Sequence, residues 1–228
     1  MNLHTLVAVS IAIAATAAAA AAPQMPAPAT TDGLVAVAVK NLDEMYVRPN
    51  TELAAYRKVI IDQPTVTFQK GWLKSINGTR DVSRWLTPDD QRRLEENFAA
   101  GMRANMTDAF KSRGYEVVTE AGPGVLRLSP SVTELFLNAP DVQSANLTRE
   151  FSRDTGLATL NLEARDAVSG TLLARIIDHD TARELRNRPV VYTSDVSNVF
   201  NMNGLFRQWA ESCIKAFGPG PERVGLSG

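Results

Sequence analysis

Residues 158–165 read ATLNLEAR, and this stretch decides how the chain folds. Small or apolar residues (Ala158, Leu160, Leu162, Ala164) alternate with polar ones, which is the period of two of a half-buried strand. Residues 166–170 read DAVSG, typical of a turn, and the apolar residues from Leu172 to Asp178 return as a second strand. The sequence therefore predicts a β-hairpin that packs one face on a core and turns the other outward.

Two amphipathic helices are predicted on either side of this hairpin. The first runs from Pro88 to Arg113, with Thr87 as N-cap and Gly114 as the left-handed stop. Its apolar stripe is Leu94, Phe98, Met102, Met106 and Phe110, broadened by Ala99 and Ala109. The second runs from Val199 to Phe217, with Ser197 or Asn198 as cap. Its apolar stripe is Val199, Met202, Leu205, Phe206, Trp209, Cys213 and Phe217.

Further strands are expected before and between the helices. Residues 58–62 and 65–68 are rich in β-branched residues, and Pro64 between them favours an edge or a bulge. Residues 115–119 and 125–128 flank the turn at 122–124, and Asn77-Gly78 favours another turn. The order of elements predicts an α+β fold: a two-layer sandwich of a mostly antiparallel sheet with two main helices packed on one face.

Composition excludes several classes of protein. The chain has 228 residues with 24 Lys and Arg against 25 Asp and Glu, so no strong charge predicts nucleic-acid binding. A single cysteine excludes a disulfide framework within the chain, and two histidines leave little for a metal cluster.

The N-terminus has the character of an export signal. Residues 1–22 hold 17 apolar residues and end in alanines, which predicts a secretory signal peptide cleaved for general secretion into the periplasm. An uncleaved membrane anchor or a cytoplasmic tail is the alternative. Residues 23–31 predict a disordered Pro/Ala-rich leash, and residues 32–228 one domain with no transmembrane segment. With no cysteine before Cys213, lipidation near the N-terminus is not expected.

Candidate catalytic side chains are few and ambiguous. His179 lies between Asp178 and Asp180 at a strand end, where the two acids share one face and the histidine takes the other. A metal ligand or general base is possible there, and an exposed strand terminus is the simpler interpretation. Cys213 falls on the apolar stripe of the second helix and is expected to be buried. Glu163 with Asp166, or Asp178 with Asp180, could form a carboxylate pair, although ordinary surface acids have the same spacing.

Arginines and tryptophans offer two possible binding surfaces. Arg183, Arg186 and Arg188 follow the hairpin and, with Arg165 and Arg175, could meet anionic glycan or lipid. The alternative is a solvated face paired with acids. Trp72, Trp85 and Trp209 could line a ligand groove, although Trp209 also fits the core stripe.

Several segments resemble the uncharacterised bacterial envelope family DUF3313. The segments that carry the resemblance are residues 32–35, 46–49, 59–62, 64–68, 138–141, 158–160, 163–166 and 169–170, with Leu53, Tyr56 and Trp72. The resemblance implies a small α/β module and supplies no catalytic residues. Many members resemble lipoproteins with an N-terminal cysteine, and this chain departs from that pattern.

The sequence favours a non-enzymatic interaction module of the bacterial cell envelope, with an envelope protein or another envelope component as partner. No catalytic, cofactor-binding or metal residue is assigned, and no cofactor is expected. A carboxylate-based hydrolase acting on envelope glycan or ester, or a small-ligand carrier, is the alternative.

Overall fold

The computed structural model describes residues 30, 32–137, 156–181 and 195–218, and these form an α+β fold. The elements, in chain order, are β1 (Val35–Ala36), β2 (Glu44–Val47), β3 (Lys58–Ile61), β4 (Thr65–Phe68), α1 (Trp72–Gly78), α2 (Pro88–Ser112), β5 (Glu116–Val117), β6 (Val125–Leu137), β7 (Gly156–Asp166), β8 (Leu172–Thr181) and α3 (Asp195–Ala216). None of the helices in these ranges has the length and apolar character needed to cross a membrane.

The strands form one mixed sheet in the order β1-β2-β8-β7-β6-β3-β5, and β4 pairs with β6 beyond the end of β3. Antiparallel pairing joins β1 to β2, β2 to β8, β8 to β7 and β7 to β6. The remaining pairs, β3 with β5 and both β3 and β4 with β6, are parallel. The predicted fold class is confirmed, and the parallel pairs lie at one side of the sheet.

The β7–β8 hairpin forms as the alternation predicts. Leu162 pairs with Ile176, and Glu163 pairs with Arg175. Gly170 closes the turn with a φ of 70°, a conformation that glycine adopts without steric cost. Buried residues at alternate positions of β7 and β8 point toward the helices, so the polar positions between them form the other face of the sheet.

Pro64 separates β3, which pairs with both β6 and β5, from β4, which pairs with β6. Lys58 of β3 pairs with Val125 and Thr65 of β4 pairs with Ser131, so both strands run along the same side of β6. Proline lacks the N–H that a continuous ladder needs, which explains the interruption at this position. The predicted interruption at Pro64 is confirmed, but β3 is not an edge strand, because β5 pairs with its other side.

Helices α2 and α3 pack together and cover one face of the sheet. Thr87 accepts a hydrogen bond from Asp90 N–H and the Asp90 carboxylate accepts one from Thr87 N–H, which is a capping box. The α2 stripe from Phe98 to Phe110 is buried, as are the members of the α3 stripe from Met202 to Phe217. Phe98 and Phe206 meet edge to face, with ring centroids 6.4 Å apart.

Four local expectations are wrong. Asn77 and Gly78 belong to α1 and form no separate turn, because Trp72 of that helix stacks on Phe68 with ring centroids 3.8 Å apart. α3 begins at Asp195, so neither Ser197 nor Asn198 is its cap. The strand expected over residues 115–119 is limited to β5. The strand expected to end at residue 128 continues as β6 to Leu137, because β7 pairs along it.

The predicted signal peptide, nearly all of the leash and the segment 138–141 lie outside the described residues. They remain predictions.

Candidate functional site

An open polar cleft of about 460 Å³ lies where the end of β8 meets α3 and the segment that leads into β2. Its lining consists of Asn41, Leu42, Asp43, Asp178, His179, Asp180, Gln208, Glu211, Ser212 and Lys215. The segment that leads into β2 turns at Asn41. The φ of this residue is 66°, a left-handed conformation that asparagine tolerates better than most residues. The cleft contains the histidine and two of the carboxylates that the sequence singled out.

Asp178 is the buried centre of this cleft, with 7% of its surface exposed. Its Oδ1 accepts a hydrogen bond from Asp43 N–H at 2.9 Å, and its Oδ2 accepts one from Trp209 Nε1–H at 2.8 Å. Burial raises the pKa of Asp178, and the two hydrogen bonds partly oppose that effect. The carboxyl group therefore joins strand, loop and helix, and both of its oxygens are already engaged.

His179 and Asp180 leave β8 on opposite sides, as the strand alternation predicts. The exposed His179 places Nδ1 3.2 Å from Asp43 Oδ2, and its backbone N–H donates to the same oxygen at 2.9 Å. Asp180 faces α3, where Gln208 Nε2 donates to its Oδ2 at 3.0 Å. Within the described ranges, no group of three or more His, Cys, Asp or Glu side chains is arranged to hold a metal ion.

The other carboxylate pair, Glu163 and Asp166, does not converge. Three positions separate the two residues along β7, so their side chains leave opposite faces of the strand. Glu163 accepts hydrogen bonds from Arg165 at 2.8 Å and Arg175 at 3.0 Å. Asp166 accepts from Tyr56 Oη at 3.0 Å and from Ser169 N–H at 2.7 Å, which fastens the hairpin turn.

The ionisation of these two acids is unsuited to acid–base catalysis. Partial burial opposes ionisation of Glu163, but the hydrogen bonds from Arg165 and Arg175 outweigh it and lower the pKa of that carboxyl. Hydrogen bonds from Ser169 lower the pKa of Asp166 as well. Glycoside hydrolysis by two carboxyl groups needs one member with a raised pKa to act as the acid. This pair has none.

Cys213 and the tryptophans have structural positions. Cys213 is fully buried on α3, and burial raises the pKa of its thiol, which disfavours the reactive thiolate. Trp72 is buried and its Nε1–H donates to Leu137 O at 3.0 Å, while Trp209 is buried against Asp178. Trp85 is 53% exposed on a separate loop. The three rings therefore do not line one groove.

The two described arginines of the predicted basic cluster, Arg165 and Arg175, are paired with acids. Arg175 contacts both Asp32 at 2.9 Å and Glu163, and Arg165 contacts Glu163. This agrees with the acid-paired interpretation of the basic cluster. Arg183, Arg186 and Arg188 lie outside the described residues.

The spacing of Asp178 and Asp180 is typical of surface acids, but Asp178 is buried and accepts a hydrogen bond from Asp43 N–H. A signal was present: Asp178 continues the buried alternation of Ala174 and Ile176 on β8, so it falls on the core face. Asp43 lies 135 positions away along the chain, and no local pattern joins it to Asp178.

Comparison with solved structures gives distant similarities of fold. A subunit of the PelC dodecamer from Paraburkholderia phytofirmans is 10% identical, with 78% of this chain and 98% of that chain covered and a TM-score of 0.39. A DUF330 protein from Xanthomonas campestris is 11% identical, with coverages of 74% and 86% and a TM-score of 0.39. A DUF4136 protein from Bacteroides thetaiotaomicron is 11% identical, with coverages of 79% and 98% and a TM-score of 0.32. Similarities this weak say nothing about the activity or partners of this chain.

Comparison with curated protein sequences gives no match. A protein-family model, in contrast, matches residues 32–213, which include every strand and most of α3. That match confirms the resemblance found in the sequence: the chain belongs to the family described as "Protein of unknown function (DUF3313)".

Proposed function

We propose that this protein is an exported, periplasmic and non-enzymatic interaction module of the bacterial cell envelope, and that it binds an envelope protein through the sheet face opposite α2 and α3. The observation that carries the proposal is this face, which the described helices leave uncovered. The family description assigns no activity to the chain.

The uncovered face is broad and polar. Its central side chains are half-buried or exposed, apart from the buried Thr159: Arg127, Ser129, Ser131, Thr133, Asn161, Glu163, Arg165, Arg175 and Ile177. Seven strands in one path span about 29 Å at ~4.8 Å between neighbours, enough for the ~800 Å² that each partner contributes to a standard protein interface. Mixed charge with polar neutral residues suits a hydrated protein interface better than a nucleic-acid site.

The engaged state of the candidate acids favours binding over catalysis. Both oxygens of Asp178 accept hydrogen bonds from the protein, and Glu163 and Asp166 have lowered pKa values. A small-ligand carrier would call for a large apolar cavity. The cleft at the end of β8 is instead open and lined mainly by polar side chains.

The proposal of export rests on residues 1–22. Their apolar run resembles a cleaved signal peptide, and Leu6 to Ala22 would span only about 26 Å as a helix at ~1.5 Å per residue, short of the ~30 Å bilayer core. Cell fractionation with intact-mass measurement tests it. We expect a shortened chain in the periplasm, and a full-length cytoplasmic chain when Val9 is changed to Asp.

The interaction surface is tested by a photo-reactive amino acid placed at Ser131, in the centre of the uncovered face. The matched control places it at Glu96, whose side chain is 68% exposed on α2. We expect a reproducible cross-link to one envelope protein from position 131 and none from position 96. Equal capture from both positions, or no capture from position 131 in a periplasmic protein, would overturn this surface.

The hydrolase alternative makes a separate prediction. The purified protein should leave peptidoglycan fragments and simple esters unchanged. Turnover that Glu163→Gln or Asp166→Asn abolishes would establish the enzyme instead.

A further inference from the structure

A rigid surface loop lies between α1 and α2. Its base is closed by two hydrogen bonds: Asn77 Nδ2–H donates to Leu86 O at 2.9 Å, and Leu86 N–H donates to Asn77 Oδ1 at 2.8 Å. Inside the loop, residues 82–84 form a 3₁₀ turn, and Asp81 Oδ1 accepts hydrogen bonds from Ser83 N–H and Ser83 Oγ. We name residues 77–86 the clasped loop. Compact loops whose ends are joined in this way frequently carry function.

The clasped loop presents two large apolar side chains to solvent. Val82 is 70% exposed and Trp85 is 53% exposed. Trp85 N–H donates to Val82 O at 3.3 Å, so the two residues lie next to each other at the ends of the same tight turn. Trp85 Nε1–H reaches Arg80 O at 3.4 Å, so the indole uses its polar atom on the loop itself and leaves ring carbons exposed. Exposing this surface to water is unfavourable, and a partner would relieve that cost.

Basic residues precede this apolar pair along the chain. Lys70, Lys74 and Arg80 against Asp81 give 3 − 1 = +2 in a chain whose net charge is −1. Asp81 is engaged with Ser83. The next acids along the chain, Asp89 and Asp90, form ion pairs with Arg92 and Arg93. These two acids are therefore balanced by basic residues of α2 itself.

We propose that the clasped loop docks the domain on an anionic phospholipid bilayer, with Val82 and Trp85 in the headgroup region and Lys74 and Arg80 on lipid phosphates. Tryptophan favours the membrane interface because its ring is apolar and amphipathic. Each Lys or Arg near an anionic surface contributes about 1 kcal/mol. Two apolar side chains and a few cations give reversible attachment that weakens as salt screens the charges. The inference rests on the proposed export, which brings the domain beside a membrane.

The test measures sedimentation of the purified protein with vesicles of phosphatidylcholine mixed with phosphatidylglycerol, at low and high salt. Because every variant carries the same N-terminus, the comparison between variants isolates the loop. For the double variant Val82→Ser, Trp85→Ser we expect roughly fivefold weaker binding, which is about 1 kcal/mol. The matched control is Val168→Ser, which removes a valine that is 66% exposed at the β7–β8 turn. That control should bind like the parent.

Two further measurements separate the contributions. Lys74→Gln with Arg80→Gln should weaken binding to the anionic vesicles and leave binding to pure phosphatidylcholine vesicles unchanged. Trp72 and Trp209 are buried, so a blue shift of tryptophan emission on vesicle addition should come from Trp85 and disappear in Trp85→Ser. Thermal unfolding should change little in any variant, because Lys74, Val82, Trp85 and Val168 are exposed and Arg80 is half-buried.

Equal vesicle binding by the parent and the double variant would overturn the inference. So would a photo-reactive group at Val82 that captures a protein and no lipid. Failure of the parent protein to bind vesicles, while the photo-reactive residue at position 131 still cross-links an envelope protein, would overturn the membrane-docking inference and leave the proposed function unchanged. Loop-dependent vesicle binding by a chain that stays in the cytoplasm would reject the proposed function alone.

Discussion

Asp178 and Glu163 belong to the two strands of one hairpin, and the fold treats their carboxyl groups in opposite ways. Asp178 points to the helix-covered side, where burial raises its pKa and neutral N–H groups hold it. Glu163 points to the uncovered side, where two arginines outweigh partial burial and lower its pKa. The face of the sheet on which an acid lies, and the hydrogen-bond donors found there, therefore decide the direction in which its pKa shifts.

The largest expected effect follows from Asp178→Ala. It leaves the buried Trp209 Nε1–H and the Asp43 N–H without their acceptor, at ~1–3 kcal/mol for each unpaired donor. We expect the free energy of unfolding to fall by about 2–4 kcal/mol, measured by urea denaturation followed with circular dichroism at neutral pH. Asp178→Asn keeps one acceptor oxygen and should lose less. A loss in Asp178→Ala below about 0.5 kcal/mol, the usual range for surface sites, would contradict the structural role.

Local pattern predicted the hairpin and α2 because their signals lie within a few residues. The alternation of Leu160 and Leu162 sets the strand face, and Thr87, Pro88 and Asp90 set the helix start. In each case the residues that form the structure are also neighbours in the sequence.

The remaining features depend on contacts that are distant in the sequence. α1 forms although Asn77-Gly78 favours a turn, because Trp72 stacks on Phe68 and bonds to Leu137 O. Tertiary packing overrides weak local propensity in such short helices. The Asp178–Trp209 hydrogen bond likewise joins residues 31 positions apart in the sequence. The candidate site could therefore be recognised only once the fold was known.

Opposite pKa directions predict opposite pH dependences. The unfolded chain releases the Asp178 proton near its ordinary value of 3.8, while the folded chain retains that proton to higher pH. Ionisation of Asp178 therefore lowers the free energy of unfolding. As pH rises above 3.8, the parent should lose stability while Asp178→Asn, which has no such carboxyl group, does not. Glu163 contributes its stabilisation fully above its ordinary value of 4.5 and loses it as pH falls through its lowered folded value.

Urea denaturation of the parent, Asp178→Asn and Glu163→Gln from about pH 3 to pH 7 measures both slopes. The destabilisation caused by Asp178→Asn should shrink with rising pH, and that caused by Glu163→Gln should grow. Asp43 and His179 also face Asp178, so Asp43→Asn is the control for the shared loop. If the destabilisation caused by Asp178→Asn and that caused by Glu163→Gln changed with pH in the same direction, the pKa values of the two carboxyl groups would be shifted in the same direction. That result would contradict the contrast drawn above.

The smallest effect is expected from Glu163→Gln at neutral pH. Glu163 and its partners Arg165 and Arg175 keep 33%, 37% and 29% of their side-chain surface exposed, so solvent screens both ion pairs. Such pairs contribute about 0.2–1 kcal/mol each, and the remaining amide can still accept hydrogen bonds. The free energy of unfolding should fall by about 1 kcal/mol or less, and the difference should fade in molar salt. A loss as large as that of Asp178→Ala, unchanged by salt, would contradict this prediction. It would mean that another segment of the chain buries the outer face even in the isolated protein.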